Sequence, residues 1–64
     1  MQLTAGELWR LEEQLAAERV LIQKFSAYAR MTQDPQLRAQ FELCCARHQG
    51  HFRQLYAKVG EGTV

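Results

Sequence analysis

A carboxylate and an imidazole each interrupt a row of apolar side chains near its centre. The first row is Leu8, Leu11, Leu15, Glu18, Ile22, Phe25 and Ala29; the second is Phe41, Cys45, His48, Phe52, Leu55 and Val59. Alternating steps of three and four keep each row on one helical face, the face that a partner helix covers. An acid and an imidazole buried at one level are either a satisfied hydrogen-bonded pair or ligands to a metal ion. Cys45, one helical turn before His48, adds a thiol to the same row. Glu18, Cys45 and His48 are therefore the candidate metal ligands. The alternative is that Glu18 and His48 form a buried pair that sets register and partner at some cost in stability.

Two helices must position these groups. Thr4 and Glu7 have capping-box spacing, which predicts a helix starting at Ala5 and running to Met31 without an intervening proline. Thr32, Gln33 and Asp34 form the turn: aspartate can cap the next helix, and Pro35, lacking an N–H, suits its first position. The second helix is expected over 35–59, with Gly60 in the left-handed conformation and a frayed tail over 60–64. So short a connection makes the helices antiparallel, and residues whose numbers total about 66 lie level. Leu11 then meets Leu55, Ile22 meets Cys44, Phe25 meets Phe41 and Ala29 meets Leu37. Glu18 meets His48, roughly 21 Å from the turn at about 1.5 Å per residue.

A chain of 64 residues buries too little apolar surface to be comfortably stable alone. Leu21 and Tyr28 flank the first seam and Leu37, Cys44 and His51 the second, so one hairpin leaves apolar surface uncovered. The economical solution is an all-α homodimer, two antiparallel hairpins forming a four-helix bundle in which every seam residue occurs twice. Trp9, Tyr28 and Tyr56 read as packing at the seam edges, and His51 as a boundary residue.

The net charge is +1 with acids and bases interleaved, which disfavours nucleic acid and anionic membranes as partners. No apolar run is long enough to span a bilayer, and the start of the chain lacks a signal-like segment, so synthesis in the cytoplasm is expected. Cys44 and Cys45 are adjacent, and pairing them inside a helix would strain the ring. One can pack on the seam; cross-linking between chains is the other role open to them. No nucleophile, base and orienting acid share a recognisable spacing, and no glycine-rich phosphate loop is present. Catalysis is not expected.

The run Lys24-Phe25, Tyr28-Ala29, Asp34-Pro35-Gln36-Leu37, then Cys45, His48, His51-Phe52 and Leu55 resembles the short ferritin-like proteins of the spore coat protein F family. The likeness spans about Leu8 to Leu55. It implies a spore-forming bacterium, a hairpin related to the ferritin-like bundle, and other spore coat proteins as partners. The wider group holds two irons with a glutamate on one helix and Glu-x-x-His on the next. By position, Glu18 matches the lone glutamate and His48 the histidine, while Cys45 stands where the second glutamate belongs. A thiolate there suits zinc better than an oxidising iron pair, so the resemblance implies a structural role, with zinc or iron in the dimer core as the alternative. The Ser-x-x-x-Asp motif of sporulation phosphatases is absent, because Ser26 is followed by Arg30.

Overall fold

In a computed structural model, which describes residues 2–62, the chain is two helices packed side by side. The first, α1, spans Ala5–Met31 and the second, α2, spans Pro35–Gly62. Among the described residues there is no strand. The hairpin is a rod measuring 46 × 14 × 11 Å.

Local chemistry explains both helix starts. Thr4, extended at φ −68° and ψ 162°, accepts the Glu7 N–H at 3.1 Å, while the Glu7 carboxylate accepts the Thr4 N–H at 3.0 Å. Each side chain satisfies an amide that the first helical turn leaves free. The hydrogen bonds from the Thr4 backbone and hydroxyl hold the Glu7 carboxyl below the usual carboxylate range; slight burial opposes them and Arg10 assists. At the turn, Asp34 accepts the N–H groups of Gln36 and Leu37 at 2.8 and 3.2 Å. Arg38 then reaches back, donating to the carbonyls of Ala29 and Thr32 at 3.3 and 2.9 Å. It thereby occupies carbonyls at the end of α1 that no helical N–H can reach.

The expected antiparallel register is found at two of the pairs: Phe25 and Phe41 rings lie 6.3 Å apart, and Glu18 meets His48. At Ile22, expected to meet Cys44, the side chain against the carbonyl is that of Cys45. Every residue of both apolar rows is shielded at least in part. The rest of the rod is wet: Ala29 and Glu18 alone are buried among the described residues.

Three further expectations need correction. Helix α2 does not stop at Val59 but continues through Gly60 and Glu61 to Gly62, and no described glycine has positive φ. Glycine permits a left-handed stop without compelling one, and the backbone hydrogen-bond ladder simply continues. Of the tail expected to fray, residues 60–62 are thus helical, and residues 63 and 64 lie outside the described residues. Trp9 is 61% exposed rather than placed at a seam edge, because one residue past Leu8 the helix has turned by about 100°. Leu37 also remains half exposed.

Gly50 offers a direct test of how the ladder limits stability. It sits within α2 without positive φ, and a Cβ there would meet nothing within 4 Å. Gly50→Ala should therefore stabilise the hairpin by about 1 kcal/mol, by reducing the freedom of the unfolded chain. Urea unfolding followed by circular dichroism measures this, and an unchanged midpoint would contradict it.

Candidate functional site

Glu18 lies near the middle of α1 and is only 5% exposed. Its carboxylate is held from three sides. One oxygen, Oε2, is 2.7 Å from His48 Nδ1. The other, Oε1, accepts from the Gln14 side-chain amide at 3.2 Å and lies 3.8 Å from His51 Nδ1. An ionised carboxylate can only accept, so His48 Nδ1 carries the hydrogen and donates it. Among the described residues no buried side-chain nitrogen or oxygen lacks a partner. The pair therefore satisfies the requirement that makes a buried acid tolerable.

Aromatic packing fixes the imidazole. The His48 ring stacks on Phe25, with centroids 5.6 Å apart and planes 3° from parallel. Phe25 in turn contacts Tyr28 and Phe41, which ties the site to the packing near the turn. Two opposing influences act on the Glu18 proton. Burial raises its affinity most strongly, but the His48 hydrogen bond, the Gln14 amide and the charges of His48 and His51 together outweigh burial. The Glu18 carboxyl is held below the usual carboxylate range.

The structure thus brings Glu18 and His48 together, but Cys45 stands apart from them within one hairpin. Its thiol is 3.6 Å from the Ile22 carbonyl and 3.8 Å from the Gln49 amide. It lines a groove with Ser26, Arg30, Arg38, Glu42 and Gln49. His51 takes the third place beside the carboxylate. The reason lies in the direction in which helical side chains lean. A side chain tilts toward its own helix N-terminus, so in this antiparallel pair Glu18 leans toward Gln14 and hence toward the level of His51. His48 leans the other way, toward the level of Phe25. Cys45 is one turn too far along in that direction to meet the carboxylate. The signal that points to His51 is its i, i+3 spacing from His48, a spacing that places two side chains on neighbouring turns of one face.

Comparison with protein-family models, curated proteins and solved structures finds no match to this chain. Its chemistry is therefore read from its own groups. Ser26 is engaged by Arg30, whose guanidinium donates to its hydroxyl at 2.7 Å, and no base lies against it to activate it. Both cysteines are free thiols. No helix among the described residues is long and apolar enough to cross a membrane.

Proposed function

We propose that the chain is a non-enzymatic structural protein of the spore coat type, which pairs with a second copy to form a ferritin-like four-helix bundle. The observation that carries this reading is uncovered surface. The hairpin exposes 4999 Å², whereas a compact monomer of its mass would expose about 4200 Å². The excess of roughly 800 Å² is about what one partner contributes to an interface of standard size.

One face of the rod fits a second copy best. Helical rotation places Leu21 and Tyr28 of α1 on the same side of the hairpin as Cys44 and His51 of α2. Tyr28 and Phe41 pack there with ring centroids 5.4 Å apart, and together with Met31 they border an apolar cleft beside the turn. Tyr28 is 39% and Met31 76% exposed. An isologous pairing across this face would cover these side chains twice over. The polar pair at the centre then acts as a register device, since sliding one helix by a turn would part Glu18 from His48 and set it level with Cys45 or Phe52. The spore coat setting rests on the family resemblance of the run from Leu8 to Leu55.

Sedimentation equilibrium of untagged protein in a chelating buffer tests the pairing. A dimer is expected at micromolar concentrations, and Leu21→Lys combined with Tyr28→Lys should shift it to monomer by at least about tenfold in dissociation constant, while Arg53→Ala on the outer face should not. A folded wild-type monomer throughout that range would remove the reading.

A further inference from the structure

We propose that Glu18, His48 and His51 of a single hairpin bind one divalent transition-metal ion of the zinc type, in a site that leaves one coordination position open. The proposal goes beyond the structural reading and does not depend on self-association. One ligand atom from each of the three residues lies within 4.8 Å of the others. In a tetrahedral zinc site with bonds of about 2.0–2.1 Å, neighbouring ligand atoms sit about 3.3 Å apart. The hydrogen-bonded pair Glu18 Oε2 and His48 Nδ1, at 2.7 Å, is closer than that, and Glu18 Oε1 and His51 Nδ1, at 3.8 Å, are farther apart. These two separations run to different oxygens of the carboxylate, so side-chain rotation must bring both imidazoles onto one of them, and the half-exposed His51 ring has the room to move.

The three groups divide the work of a site between them. Glu18 is buried, so its oxygens are screened from water. His48 is oriented by its stack on Phe25. The His51 side chain is 56% exposed and is free to swing onto an arriving ion. An open cleft of about 350 Å³, lined by Gln14, Glu18, His51, Gln54, Leu55 and Lys58, gives access from solvent. Lys58 is the one cation in that lining, and its flexible stem can carry the ammonium outward. When the ion takes Nδ1 of a neutral His48, the hydrogen there moves to Nε2, so the ring remains a neutral donor. Two imidazole nitrogens and one carboxylate oxygen favour zinc, cobalt or iron over calcium and magnesium, which need more oxygen ligands.

Cobalt(II) titration of chelator-treated, untagged full-length protein provides the test, because cobalt reports its ligands by colour. The expected result is one cobalt per chain with tetrahedral visible bands, displaced by zinc, and no thiolate-to-cobalt charge-transfer band. His51→Asn should weaken binding at least about 100-fold, with circular dichroism confirming that the helices persist. Cys45→Ala should leave affinity and spectrum unchanged. The site is overturned if wild-type protein fails to bind, if His51→Asn binds equally well, or if a thiolate band appears and Cys45→Ala abolishes it. Sedimentation in chelator, which tests the dimer, is unaffected by any of these outcomes.

Discussion

Phe25→Ala is expected to be the most damaging single truncation in the hairpin. The ring contacts His48, Tyr28 and Phe41 and joins the polar centre to the aromatic packing near the turn. Full truncation of a buried phenylalanine costs about 3–5 kcal/mol, and Phe25 is partly exposed, so about 2–3 kcal/mol is the reasonable expectation. That is a large fraction of what a core this small supplies. Removing the ring also frees His48 from its parallel stack, which loosens its hold on the Glu18 carboxylate. Thermal and urea unfolding followed by circular dichroism should show a strongly lowered midpoint. Val20→Ala, at a site 60% exposed, should stay within about 0.5 kcal/mol of wild type. Equal effects at the two positions would mean that the aromatic packing is not what holds the helices together.

Glu18 is expected to give the second large effect, with a pH signature of its own. In the folded chain its carboxyl is held below the usual range, so the unfolded state takes up the proton first as acid is added. Its contribution to stability is therefore fully present above the unfolded value and is lost as pH falls through the lower folded value. Glu18→Gln should flatten that acid limb of the stability profile. Glu18→Ala should destabilise at neutral pH far more than changes at the exposed Glu12 or Glu13, which are expected within about 0.5 kcal/mol, because it leaves His48 Nδ1 without its acceptor. Replacing both partners by leucine should recover most of the loss, since a buried pair costs desolvation that an apolar pair does not. If Glu18→Ala proved as stable as wild type at every pH, the pair would have no structural role.

Much of this architecture is legible in residue order. The capping box at Thr4 and Glu7, and the Asp34-Pro35 turn, act through neighbours three or four positions away, so their effects follow from local spacing. The start and end of α1 and the start of α2 were expected where they are found. The pairing of Glu18 with His48 follows from two apolar rows and one short turn, because an antiparallel hairpin relates levels by simple counting. The end of α2 is less legible. Gly60 can stop a helix or continue it, and near a terminus little packing is present to decide between the two. Trp9 was misplaced for a different reason, since a wide apolar surface on α1 blurs where the seam ends.

The residues around the carboxylate mark where residue order stops and three dimensions begin. Sequence alone determined two amphipathic helices, their antiparallel register, and an acid level with an imidazole, because helical periodicity and turn length act along the chain. Tertiary structure alone decided that His51, and not Cys45, stands beside Glu18. Spacing makes the two equivalent, each three residues from His48, but the tilt of side chains toward their own N-termini acquires a direction in space only when two opposed helices pack. Glu18 and His48 then lean opposite ways along the rod, so the carboxylate is carried toward the level of His51 and away from Cys45.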